Sequence, residues 1–260
     1  MLFVPPPLIA RQGPSLMDAI LSAGLSSNLQ LCLDAGDPIS YPGSGTKWLD
    51  RSGNGYDFFL GTDGTTSAPT FVSAGRGSYW NMAGKFFRYD STNETWMQNL
   101  HKDNAIWSFV LIYYRAASAS THFGTDAGTT TGIHVAGTNN FTVTNATATV
   151  ITKAGDLTPT ANTWYFLGDS LTEATGAGGG FLYANGAYNK VSGSDTFDST
   201  YSSPASGNAT ATMEIGAEGN GANTSPANAR LSCIAIWGGT AITKANMDTL
   251  YAALRGRVGI

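Results

Sequence analysis

The chain has 260 residues, a length that suits one large β-sandwich as readily as two smaller domains. Only 12% of residues are charged, 14 basic against 18 acidic for a net charge of −4, while 42% are apolar. Disorder needs low hydrophobicity with high net charge, and nucleic-acid binding needs a basic stripe; the composition supports neither.

The first segment, residues 1–27, differs from the rest. It holds four of the ten prolines, Pro5, Pro6, Pro7 and Pro14, and the triple proline favours an extended polyproline II arm. Leu2, Phe3, Val4, Leu8 and Ile9 make this arm apolar. No basic residue precedes that stretch and the prolines interrupt it, so it reads poorly as a secretory signal. It reads instead as an anchor that docks on a neighbouring subunit. Ser15 is placed to cap one or two helical turns through Leu16, Ala19 and Ile20, ending at Gly24.

From residue 29 onward the pattern is short and alternating. Period-two alternation predicts strands over 29–34, 141–144, 147–152 and 230–237, and the apolar runs at 105–114 and 163–167 predict strands buried on both faces. None of these runs approaches the about 20 residues of a membrane-spanning helix. Turn chemistry separates them, at Ser52 to Gly55, Thr62 to Gly64, Gly176 to Gly180 and Asn185-Gly186. A dozen or so strands without intervening helices predict an all-β jelly-roll sandwich. One short C-terminal helix is expected: Thr243 caps it, Met247, Leu250, Tyr251 and Leu254 share one face, and Gly256 stops it. Trp48, Trp107 and Trp164 are expected as core or near-core anchors rather than sugar platforms.

Two motifs look like chemistry. GDSL at Gly168 to Leu171 resembles the nucleophile block of the GDSL esterases, in which a His activates the Ser. His101, His122 and His134 all lie upstream, and none follows an Asp by three residues. The second is Glu214-Ile-Gly-Ala-Glu218, which resembles the E-I-D-x-E strand of laminarinase-type glycoside hydrolases. Here the central Asp is Gly216, and residues i and i+4 of a strand lie roughly 13 Å apart, against about 5–5.5 Å between retaining carboxylates. Both glutamates are therefore expected to face solvent, and neither motif is expected to catalyse. The three histidines form no H-x-x-x-H. Asp34, Asp37, Asp50 and Asp57 around one loop read as turn formers, with a Ca²⁺ site the alternative. No cofactor and no metal is expected. Cys32 and Cys233 should sit near each other on neighbouring strands and remain reduced.

The segments LCLDAGDP at 31–38, YPGSG at 41–45 and WLDRSGNG at 48–55 resemble the opening of LamG-like (concanavalin A-like) jelly-roll proteins. IWSF at 106–109, Trp164, LYANG at 182–186 and IGA at 215–217 fit later parts of that pattern. The close, IAIW at 234–237 followed by a helix and LRGRVGI at 254–260, resembles such proteins from tailed bacteriophages. The resemblance covers about residues 28–260. It implies a LamG-like domain at 28–260 behind an anchoring arm at 1–27, in a virion assembled in the host cytoplasm. The function it implies is that of a non-enzymatic structural protein, first a capsid decoration protein held by its arm. The alternatives are a tail or fibre component adhering to host glycans and, in another class, a jelly-roll glycan hydrolase. The implied partners are the major capsid protein or other virion subunits, further copies of the chain, and host surface glycans. No ligand-binding residue follows from the resemblance.

Overall fold

In the computed structural model, the described residues are 13–117, 120–126, 131–137, 141–145, 148–153, 160–172, 180–189 and 205–260. The apolar arm residues Leu2, Phe3, Val4, Leu8 and Ile9 lie outside them. Numbered in chain order, the first sheet contains β1 (Leu29–Asp34), β4 (Thr70–Val72), β5 (Tyr79–Asn81), β7 (Ile106–Arg115), β12 (Thr163–Thr172), β13 (Gly180–Ala184), β14 (Ala187–Asn189) and β16 (Arg230–Gly238). The second contains β2 (Lys47–Trp48), β3 (Phe58–Leu60), β6 (Phe87–Tyr89), β8 (Ser120–Gly124), β9 (Ile133–Gly137), β10 (Phe141–Asn145), β11 (Ala148–Lys153) and β15 (Glu214–Ile215). The fold is the expected all-β jelly-roll sandwich.

β16 is the hub of the first sheet. It pairs with β7 along one side, and its other side is shared by β1, along Cys233 to Trp237, and β5, at Arg230 and Leu231. Cys32 lies opposite Ala235, and Asp34 opposite Cys233. The two cysteines lie on neighbouring strands as expected, and both are buried and free. Burial pushes the Cys233 thiol up to about 12 and raises Cys32 well above its usual range, so both are uncharged packing groups.

Alternation along the strands builds two cores. Between the sheets lie Trp48, Phe58, Trp80, Phe87, Trp107, Phe109 and Phe123, with Leu31, Leu33 and Ile234. Trp48, Trp80 and Phe87 contact one another at ring-centroid distances of 4.8–5.6 Å, edge-on or tilted. Such pairs contribute about 0.5–1.5 kcal/mol each beyond the area they bury. On the outer side of the first sheet, Cys32, Val110, Ile112, Phe166, Cys233, Ala235 and Trp237 pack under two helices.

These helices are α1 (Leu16–Ser22) and α3 (Lys244–Leu254). Ser15 caps α1 through Asp18, and Gly24 follows at φ +69°. Leu16, Ala19 and Ile20 are buried, so residues 15–22 pack as part of the sandwich. Thr243 caps α3 with Asn246, and Met247, Leu250 and Leu254 are buried beneath it. Gly256 is not the stop: α3 tightens after Leu254 into a 3₁₀ turn, Arg255–Arg257, and the left-handed glycine is Gly259 at φ +75°. A further short helix, α2 (Thr95–Asn99), precedes β7 and was not apparent from periodicity.

One ion pair ties this layer together. Arg257 reaches Asp34 through Nη1 at 2.9 Å and Nη2 at 2.5 Å, and both side chains are buried. The same carboxylate accepts the Leu16 N–H and the Gly36 N–H, each at 2.8 Å. Its charge is thus met by a bidentate guanidinium and two backbone donors, which is what a buried carboxylate requires.

Candidate functional site

The residues that resemble catalytic groups are used in packing. Ser170 is buried on the outer face of β12, 3.1 Å from the Ser108 hydroxyl. Ser108 in turn lies 3.0 Å from the Thr240 carbonyl and accepts the Ile242 N–H at 2.8 Å. This hydroxyl pair pins the chain ahead of α3, and no histidine is among its hydrogen-bond partners.

The solvent-facing expectation for Glu214 and Glu218 is corrected. Glu214 is fully buried and Glu218 nearly so. β15 ends after Ile215 because Gly216 takes φ +86°, so the five residues do not continue as one strand. Glu214 meets Arg88 on the neighbouring strand at 2.6 Å and accepts the Gly221 N–H at 2.7 Å. Burial pushes its carboxyl up while Gly221 and Arg88 pull it down. Glu218 is held by His134 Nδ1 at 2.9 Å and Asn223 Nδ2 at 2.7 Å. The two carboxylates thus have separate partners and separate structural duties.

The histidines follow the same logic. His122 is buried beside the Tyr113 ring, with centroids 4.7 Å apart, and burial takes it down to about 3. His101 is buried with Nε2 3.2 Å from the Gly207 carbonyl, and burial lowers it as well. Burial also lowers His134, against the pull of Glu218.

The four aspartates of the opening loop are not brought together. Asp34 serves Arg257, and Asp37 meets Arg51 at 3.1 Å and caps the Ile39 N–H. Asp50 accepts the N–H groups of Cys32, Ser52 and Tyr56, and Asp57 accepts that of Asp50. Asp37, Asp50 and Asp57 cap backbone N–H groups of the loop, whereas Asp34 serves the buried ion pair. Among the described residues no three His, Cys, Asp or Glu side chains gather as a metal site.

Among the described residues, three surfaces present aromatic side chains together with amide or guanidinium groups. A groove of about 300 Å³ lies where α2 meets the start of β7 and the end of β16, lined by Gln30, Trp96, Asn99, Asn104 and Ile106 over Trp107. Among the described residues, none that lines it is charged. A second groove of about 370 Å³ runs between Tyr41, Phe71 and Arg76. There the rings are committed to Trp80, at 4.5 Å for Tyr41 and 5.2 Å for Phe71, and Arg76 donates to the Gly36 carbonyl.

A third surface crosses the outer face of the first sheet. Trp164 pairs with Tyr114 and Tyr114 with Arg230 across β12, β7 and β16, while Tyr79 projects from β5 beside them. The Arg230 guanidinium lies 4.5 Å from the Tyr114 ring centroid and 5.1 Å from that of Tyr79. Trp164 stands edge-on to both tyrosines at 5.5–5.6 Å. All four side chains are half-buried. Trp48 and Trp107 are core residues as expected, whereas Trp164 keeps part of its surface open. Sequence reasoning did not single out Trp96, Asn99, Tyr79, Tyr114 or Arg230. The available signal was the aromatic residue at an outward position of a strand, Tyr114 two residues after Ile112.

No protein-family model matches the sequence, and no curated protein matches it. Solved structures do share the fold. The chain is similar to Trypanosoma rangeli sialidase in complex with sialic acid, with TM-score 0.56 and 11% identity over 88% of this chain and 33% of that one. It is similar to domain 4 of a GH43 extracellular arabinanase from Geobacillus stearothermophilus in complex with arabinotriose, with TM-score 0.53 and 15% identity over 86% and 98% of the two chains. It is also similar to the binding domain of botulinum neurotoxin DC in complex with SialylT, with TM-score 0.51 and 12% identity over 88% and 52%. The chain spans about a third of the length of the sialidase it matches. At these identities the likeness is one of fold.

Proposed function

We propose that the chain is a non-enzymatic surface protein of a tailed-bacteriophage virion whose jelly roll binds host glycans, as a tail or fibre adhesin does. The observation that carries the binding half is a division of labour among side chains. Ser170, Glu214, Glu218 and the histidines, the groups able to do chemistry, are held in packing pairs. Aromatic and amide side chains line the groove at α2, and half-buried aromatic side chains with Arg230 make up the outer-sheet surface. The fold is shared with proteins solved with sialic acid, arabinotriose and SialylT, which supports a saccharide as the ligand. The virion half rests on the opening and closing sequence segments, which fold into the adjacent strands β1 and β16.

A capsid decoration protein is the second reading, favoured by the apolar composition of Leu2, Phe3, Val4, Leu8 and Ile9. Burying five such side chains on the major capsid protein or a neighbouring copy would contribute several kcal/mol, at about 25 cal/mol per Å². The test treats binding and attachment separately. Purified protein screened on immobilised glycans is expected to bind without hydrolysing them, and hydrolysis lost on Ser170→Ala or Glu214→Gln would overturn the non-enzymatic reading. Deleting residues 1–14 should leave a folded protein that no longer occupies particles; undiminished occupancy would rule out the anchor.

A further inference from the structure

Arg230 differs from the other well-placed arginines of this molecule. Arg51, Arg88 and Arg257 each meet a carboxylate within 3.1 Å. Arg230 makes no ion pair and no side-chain hydrogen bond with any described residue, although the chain carries 18 acidic side chains. Its guanidinium instead lies over two rings, Tyr114 at 4.5 Å and Tyr79 at 5.1 Å. These ring contacts hold the cation without giving its N–H groups a hydrogen-bond acceptor among the described residues. Trp164 braces both tyrosines, and the register of β12, β7 and β16 holds the row in place.

This is an oriented cation with free donors, set among half-buried rings on a rigid sheet. A planar guanidinium fork matches a carboxylate in bidentate geometry. Because the ring contacts already hold the long side chain, less rotamer freedom is lost when a ligand arrives. The rings beside it offer apolar surface to the C–H face of a sugar. Resting on the glycan-binding reading, we infer that Arg230 with Tyr79, Tyr114 and Trp164 forms a binding site for the carboxylate-bearing residue of an acidic glycan. The uncharged groove at Trp96 and Asn99 has no group to favour such a ligand over a neutral one.

The test titrates the intact protein with sialyllactose and with trigalacturonic acid, using lactose and arabinotriose as neutral controls. Calorimetry reads affinity, and the part of the indole fluorescence change that is lost in Trp164→Phe reports on Trp164 among the six tryptophans. The two acidic probes present a carboxylate on different sugars, one on the anomeric carbon in sialyllactose and three at C6 in trigalacturonic acid, so binding of either supports the site and the difference between them identifies the source. Arg230→Gln should weaken the acidic probe about tenfold or more, with the thermal unfolding midpoint nearly unchanged. Arg230→Lys, which keeps the charge but not the fork, should also weaken it; if the Gln variant does not fold, unchanged affinity in the Lys variant overturns the site. Arg255→Gln, which removes an exposed cation 5.8 Å from the Tyr251 ring centroid and outside the site, should have no effect. Equal binding of acidic and neutral probes, or acidic binding weakened as much by Arg255→Gln as by Arg230→Gln, overturns this assignment while the glycan-binding reading stands. Absence of binding to any of the four overturns both.

Discussion

The outer face of the first sheet carries two different surfaces on the same strands. Along β7 the outward side chains run Val110, Ile112, Tyr114; along β12, Phe166 gives way to Trp164; along β16, Trp237, Ala235 and Cys233 lead to Arg230. The earlier members of each series are fully buried beneath α1 and α3, and the last are half-buried. The change on β16 falls at a register shift between Leu231 and Cys233. Backbone pairing is continuous through it on β7 and β12. Side-chain type therefore decides what each half can do. Aliphatic and small residues make a bed on which helix ridges dock, whereas amphipathic rings and a guanidinium tolerate water on one side and packing on the other.

The largest effect is expected where the helix layer is clamped. Arg257→Met would leave Asp34 buried without its cation, and breaking one partner of such a pair costs about 3–5 kcal/mol. Urea denaturation measures it, and a loss under about 1 kcal/mol would mean that the covered half does not depend on the clamp. A direct comparison of the halves comes from two aromatics on one strand. Phe166→Ala, in the fully buried half, should cost about 3–5 kcal/mol, and Trp164→Ala only about 1–2 kcal/mol because less of its surface is removed from water. Equal costs would erase the distinction.

Acid stability asks whether the face or the interior sets the limit. Burial holds folded His122 down to about 3, below its ordinary 6.5, so the folded state keeps the ring neutral while the unfolded chain takes up a proton. That contribution is complete above pH 6.5 and is lost as pH falls from 6.5 toward 3, at up to about 1.4 kcal/mol per unit. His122→Phe should flatten the profile in this window; His101 and His134 shift in the same direction, so some slope remains. An unchanged slope would remove His122 as a cause. The smallest effect belongs to the α1 cap, where Ser15→Ala should cost about 1 kcal/mol and lower the melting temperature by a few degrees without changing the acid profile.

Features fixed by local physics were legible in the sequence. Alternation located β1 and β16, and the family pattern implied their adjacency. Ser15 and Thr243 announced their helices through side-chain oxygens that accept backbone N–H groups. Trp48 and Trp107 lay in strand patterns that point inward. Features fixed by distant partners were not legible. The burial of Glu214 depends on Arg88, 126 residues away, and that of Glu218 on a strand containing His134. The spacing argument failed at Gly216, whose left-handed backbone ends the strand on which it relied. Short α2 offers too few residues for a helical period to show. The Arg230 frame draws one residue from each of four strands, and Tyr114 at an outward position of β7 is the one mark those segments carry.

The place of β16 at the hub of the sheet has a consequence for synthesis. β1 leaves the ribosome about 200 residues before the strand it pairs with, which at about 5–20 residues per second is a wait on the order of ten to forty seconds. Through that interval β1, β5 and β7 lack the partner that joins them, and the bed for α1 lacks its central strip. The sandwich must therefore close late and nearly all at once, after translation has passed residue 238. The apolar surface and unpaired edges it exposes meanwhile are open to association with sister chains.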